Sequence, residues 1–137
     1  AVINDKAKDW YLYEKFSTEL TNSIKQINRV VLLPFQDSIK NLKFIYKKIN
    51  LDRFHSDLLR EVDHLVNQII LEKELVRKIW QMPIVLIPIG KGTGYSIVLR
   101  PVESEEAMTA NFYKMNRLFL EEITNSILKI KEIDYVF

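Results

Sequence analysis

The chain has 137 residues, 47% of them apolar and 28% charged, a globular balance with enough length for one ordinary domain or two small half-domains. Its net charge of +2 is too small to imply a nucleic-acid partner, and the lack of cysteine excludes disulfides, zinc–thiolate sites and thiol nucleophiles within this chain. No apolar run approaches the roughly 20 residues of a membrane span and no signal-peptide pattern opens the sequence, so a cytoplasmic protein free of the membrane is expected. The start at Ala1 and the stop at Phe137 in mid-strand read as a fragment of something longer.

Asp9 to Ile27 reads as an amphipathic helix. Tyr13, Phe16, Leu20, Ile24 and Ile27 recur at spacings of three and four, with Glu14, Lys15, Glu19 and Lys25 on the other side. Arg29 to Leu33 is an apolar strand stopped by Pro34. Between Gln36 and Asn50, Leu42, Phe44 and Tyr46 alternate with Lys43, Ile45 and Lys47, as in an edge strand whose lysines discourage further pairing. Asp52 or Ser56 caps the next helix. That helix is expected to run to about Leu75, burying Leu59, Val62, Leu65, Val66, Ile69 and Ile70.

Met82 to Ile89 is a nearly unbroken apolar run, the signature of a strand buried on both faces. Gly90-Lys91-Gly92-Thr93-Gly94 then offers positive-φ freedom for a tight reversal. Tyr95 to Val102 returns as a second strand, with Tyr95, Ile97 and Leu99 on one side and Ser96, Val98 and Arg100 on the other. Ser104 with Glu105 and Glu106 behind it marks a helix start. The main helix is expected over Asn111 to Lys131, with Phe112, Met115, Phe119, Ile123, Ile127 and Ile130 as its stripe, and Ile133 to Phe137 returns to strand.

The two ends of the chain repeat each other. Leu20-Thr21-Asn22-Ser23-Ile24 matches Ile123-Thr124-Asn125-Ser126-Ile127, Phe16 matches Phe119, and a strand follows in each copy. The expected architecture is α+β: a two-layer sandwich of tandem-repeat origin, with helices on one face of a mostly antiparallel sheet. Residues 1–50 would be the tail of a first repeat and residues 51–137 a second.

Candidate chemistry is sparse. His55 and His64 stand nine residues apart, on roughly opposite faces of one helix, and cannot share a metal. The glycine loop lacks the GxxxxGK[ST] pattern and a following helix, so it reads as a hairpin turn, with Lys91 at most a mobile charge for a phosphate. Lys40, Lys43, Lys47 and Lys48 with Phe44 and Tyr46 resemble a single-strand stacking segment, against which a solvated edge strand is the blander reading. Glu103, Glu105 and Glu106 have no histidine or aspartate partner beside them, and helix-start electrostatics account for them. Gln81, polar and alone before the apolar run, has either a structural hydrogen-bond partner or a ligand. Arg100, across the hairpin, suits a ligand or an interface salt bridge.

A family resemblance enters at these residues. Leu58-Leu59-Arg60-Glu61-Val62-Asp63, Lys78-Ile79-Trp80-Gln81, Val85-Leu86-Ile87-Pro88, Val98 to Ser104 and Ala107 to Ala110 come in order before the Ile123–Ile127 helix. Together they resemble the C-terminal dimerisation domain of glutamine-hydrolysing GMP synthase, over residues 58 to 137. Residues 8 to 33 look like the end of a preceding copy, as in the doubled-repeat eukaryotic type. The resemblance implies a parent enzyme that makes GMP from xanthosine monophosphate (XMP), with ATP and Mg2+, using ammonia from glutamine. The glutaminase cysteine and the SGGxDS loop of the ATP-pyrophosphatase are missing here, so this chain would hold no catalytic residue, metal or cofactor of its own. It would pair repeats or subunits, lie beside upstream glutaminase and ATP-pyrophosphatase domains, and help close the XMP pocket. Gln81 aligns with a glutamine that contacts XMP in the family, and Arg100 is the weaker candidate for the XMP phosphate or the interface. The loop acid and the C-terminal tail that complete the family's pocket are absent from this sequence. The rival readings are a nucleic-acid-binding module led by residues 40–48 and a scaffold without ligand contact.

Overall fold

Residue Asp52 begins the helix around which the core forms. The computed structural model describes residues 1–35, 42–104 and 110–137. Asp52 accepts the His55 N–H at 3.0 Å as N-cap of helix α2 (Arg53–Glu72), satisfying a backbone donor that the first turn would otherwise leave open. Leu58, Val62, Val66 and Ile69 then fall on one face and are buried. The helix stops at Glu72, short of the expected Leu75, because Glu74 enters the left-handed region (φ 55°) and starts a 3-10 turn over Leu75–Arg77. That turn aims Leu75 back into the core.

The α2 face lies on a three-stranded sheet of order β4-β6-β9, formed by Ile84–Ile87, Tyr95–Leu99 and Ile133–Val136. The hairpin is antiparallel, Ile84 opposite Leu99 and Ile87 opposite Ser96, while β6 and β9 run parallel. Helix α3 (Arg117–Ile127) connects them and packs beside α2, burying Leu120, Ile123 and Ile127. Ile97 and Leu99 face the helices and Val98 faces away, the alternation expected of β6. The architecture is α+β, and three of the five described strand pairs are antiparallel.

Four further local expectations are corrected. Strand β4 is an edge strand among the described residues, not one buried on both faces: β6 is its only ladder partner there, and Val85 is 38% exposed. Helix α3 starts six residues after Asn111, capped by Asn116. Asn111–Phe112 instead forms β8, paired with β7 (Val102–Glu103), and Phe112 packs on Trp10. No glycine of the 90–94 loop has positive φ. Glycine is required there by close approach, since a Cβ on Gly90 would overlap the Gly94 carbonyl and one on Gly94 would sit 2.5 Å from the Asp134 carboxyl carbon. Edge strand β3 is two residues, Ile45–Tyr46, paired with β5 (Ile89–Gly90). The helix start expected at Glu105 and Glu106 lies outside the described residues.

The fourth correction concerns the first helix. Helix α1 spans Trp10–Ser23, with Asp9 as N-cap, and stops short of Ile27. It links two parallel strands, β1 (Val2–Asn4) and β2 (Val31–Leu33). Of its expected stripe only Tyr13 is buried. This β1-α1-β2 unit meets the β4-β6-β9 sheet on the face away from α2 and α3, where Leu33 packs against Tyr135 and Phe137. An ion pair between Asp5 and Arg117 and a hydrogen bond from Trp10 Nε1 to the Met115 carbonyl (2.9 Å) tie the unit to the start of α3.

One irregularity shapes β9. Tyr95 is opposite Ile133 but Ser96 is opposite Tyr135, so Asp134 is the extra residue of a bulge. The bulge lets Ile133 and Val136 both face the helices while Tyr135 and Phe137 face β2. It also sends the Asp134 carboxylate to the hairpin tip, where it accepts the N–H of Lys91 (2.7 Å) and of Gly92 (3.2 Å).

Candidate functional site

Gln81 stands where the hairpin opens toward β7. Its backbone is fixed by a bridge to Val102, with the Val102 N–H donating to the Gln81 carbonyl at 2.8 Å and the Gln81 N–H to the Val102 carbonyl at 3.2 Å. The Arg100 N–H donates to the Pro83 carbonyl at 3.1 Å, continuing the same register. Position 81 faces 102 and position 83 faces 100, so Gln81 and Arg100 share one face of the hairpin as diagonal neighbours. That is the face away from α2. Both residues are exposed, and the Gln81 side chain hydrogen-bonds to no described residue. The structural-partner alternative for Gln81 thus finds no partner among the described residues.

A groove of about 690 Å³ lies between the β1-α1-β2 unit and this sheet face. Val85, Ile87 and Val98 line it from the sheet and Val31 and Leu32 from β2, with Arg29 and Arg100 also in its lining. Its size is that of a small-molecule pocket, and its mostly apolar lining suits a packed segment as well. Arg100 is part of it; Gln81 is not.

At the other end of the hairpin the structure joins residues that the sequence kept apart. His55 Nδ1 lies 2.7 Å from Asp52 Oδ1, and Nε2 lies 2.9 Å from the Tyr95 hydroxyl. Lys47 donates to the Gly94 carbonyl and lies over the Tyr95 ring at 4.8 Å. These contacts clamp the start of α2 onto the hairpin tip. The loop amides at Lys91 and Gly92 are taken by Asp134, so they offer no phosphate cradle; Lys91 itself is exposed. The Asp52–His55 pair sat in the sequence as a cap and a residue three places on, but nothing local pointed to Tyr95, 40 residues away.

The clamp has a pH signature. The His55 backbone N–H, followed by its imidazole, holds the Asp52 carboxyl below its ordinary range. A carboxylate whose pKa is depressed by folding stabilises above its unfolded value and loses that contribution as pH falls through the folded one. The urea midpoint of the chain is therefore expected to exceed that of Asp52→Asn at pH 6, with the gap closing below about pH 4. An unchanged gap at pH 3 would show that the ionised carboxylate contributes nothing.

The other sequence candidates are placed as follows. His64 is exposed on α2, and no group of three His, Asp or Glu among the described residues could hold a metal ion. In the basic segment, Phe44 is committed to Tyr135 and Phe137 (5.5 and 6.3 Å between centroids) and Lys47 to the hairpin tip, leaving Tyr46 as the open ring. Lys40 lies outside the described residues. A stacking platform for nucleic acid is not favoured by this arrangement. No helix among the described residues is long and apolar enough to cross a membrane.

Comparison with known proteins returns one family. The family model described as GMP synthase C terminal domain matches residues 67–137. A probable glutamine-hydrolyzing GMP synthase of Leptospira interrogans is 52% identical over 137 residues, covering 99% of this chain and 23% of that protein. Glutamine-hydrolyzing GMP synthases of Leifsonia xyli and Streptomyces coelicolor are each 39% identical over 80 residues, covering 52% of this chain and 16% and 15% of theirs. The chain therefore spans less than a quarter of the length of these relatives.

Proposed function

Because the chain belongs to the GMP synthase C-terminal domain family, we propose that it acts as the C-terminal part of an enzyme converting XMP, ATP and glutamine to GMP. In that parent, Mg2+ and ATP are used by an upstream ATP-pyrophosphatase domain, ammonia comes from an upstream glutaminase domain, and this chain supplies no catalytic residue. Its part is to pair repeats or subunits and to present Gln81 to XMP, with Arg100 placed for the phosphate or the interface. Residues 1–50 are the tail of a first repeat and residues 51–137 a second.

The observation that carries the ligand role is Gln81 itself: backbone fixed, side chain exposed and unpaired among the described residues, on the face it shares with Arg100. A fixed backbone lowers the ordering cost of a ligand hydrogen bond. The second reading, a scaffold without ligand contact, is supported by the position of Gln81 outside the apolar groove. Calorimetry on the full-length parent separates them. Gln81→Ala is expected to weaken XMP binding by roughly 0.5–1.5 kcal/mol. Unchanged affinity, with the assembly intact, would leave the scaffold reading.

A further inference from the structure

The unit β1-α1-β2 and the unit β6-α3-β9 are built alike: strand, helix, parallel strand, with matching helix sequences at residues 20–24 and 123–127. In the second unit the helix and sheet are covered. Helix α2 lies beside α3, β4 occupies the remaining edge of β6, and Ile123 and Ile127 are fully buried. In the first unit neither place is filled by a described residue. Strand β1 has β2 as its one ladder partner among the described residues, and Phe16 and Ile24, the counterparts of Phe119 and Ile127, are 47% and 39% exposed. The same apolar spacing on the same kind of unit stands without its cover.

The charges repeat as well. Glu122 on α3 pairs with Lys73 at the end of α2 at 3.0 Å. Its counterpart on α1 is Glu19, which has as its nearest described cation Lys15, on the same helix, at 3.9 Å and well exposed. Such an exposed pair contributes little and leaves Glu19 available.

We infer that the outward face of α1 and the free edge of β1 form a docking surface for a helix followed by an antiparallel strand, of the α2–β4 kind. The partner helix lays an apolar ridge, spaced as Leu58, Val62, Val66 and Ile69 are, along Phe16 and Leu20 of α1 and Ile24 at its C-cap. It brings a basic residue near its C-terminal end to Glu19, and its strand extends the sheet at β1. This rests on the reading of residues 1–50 as the tail of a first repeat and is independent of any role for Gln81.

The test uses the whole chain and, as probe, a synthetic peptide with the sequence of residues 52–87. Hydrogen exchange should show peptide-dependent protection of α1 and β1 amides but not of α3. A chain carrying Phe16→Glu and Ile24→Glu, shown by circular dichroism to stay folded, should bind the peptide at least about tenfold more weakly. Lys73→Glu in the peptide should also weaken binding, which a nonspecific apolar contact would not do. Three results would overturn the inference: no saturation by about 1 mM peptide, equal binding to the double variant, or protection of α1 that rises with the concentration of the chain itself. The last would assign the face to a second copy. Because XMP takes no part in the assay, failure here leaves the Gln81 measurement unaffected.

Discussion

Replacing Arg117 by methionine should cost about 3 kcal/mol of stability, read from urea unfolding. The Asp5 carboxylate is 5% exposed, and two groups compensate it: the Tyr13 hydroxyl, donating at 2.9 Å, and the Arg117 guanidinium. Arg117 is three-quarters buried between the rings of Trp10 and Phe35, at 5.7 and 5.0 Å from their centroids. Burial pulls its pKa down, opposed in part by Glu121. Its Nε and Nη1 meet no acceptor among the described residues. Removing the cation leaves a buried carboxylate with one hydroxyl. Removing both charges, as Asp5→Asn with Arg117→Met, leaves neither charge uncompensated, so the double variant should recover most of the loss. A single variant that loses less than about 1 kcal/mol would place the pair in the class of surface contacts.

The second large effect is a contrast between matched positions. Ile127→Ala should cost about 2–5 kcal/mol, because a fully buried isoleucine leaves a cavity that its neighbours on α2 and β6 only partly refill. Ile24→Ala, at the matching sequence position and C-cap of α1, should cost less than about 1 kcal/mol, since the side chain already meets water over 39% of its surface. Comparable losses would mean that Ile24 is covered in the isolated chain in solution.

Much of the fold was legible because it is written in local periodicity. The alternation across Tyr95 to Leu99 and the Ile123–Ile127 stripe need fewer than ten residues of context and fold as expected, and of the two cap candidates, Asp52 and Ser56, Asp52 is the cap. The failures have a common cause. Periodicity says that a face is apolar but not what lies against it, so the stripe through Phe16 and Ile24 carries no sign that both side chains stand exposed. Apolar spacing also runs on through Phe112 and Met115, while the cap that starts α3 is at Asn116. Turn chemistry is the local reading of the 90–94 loop, whereas Gly90 and Gly94 are held to glycine by close approach to each other and to the Asp134 carboxylate some 40 residues further on. For the site, the sequence placed Gln81 and Arg100 on one hairpin, and the register put them on one face. It gave no sign of the groove, which exists only once β2 has docked on the sheet.

The bulge in β9 has a consequence for which lengths of this strand the fold can accept. Deleting one residue from a strand ordinarily turns every later side chain inside out. Deleting Asp134 would not, because it is the surplus residue: Ile133 would stay opposite Tyr95, and Tyr135 would still meet Ser96. Val136 would keep facing the helices, at the expense of the carboxylate that anchors the hairpin tip. Position 134 is thus where natural length variation in this strand can be absorbed without rebuilding the core.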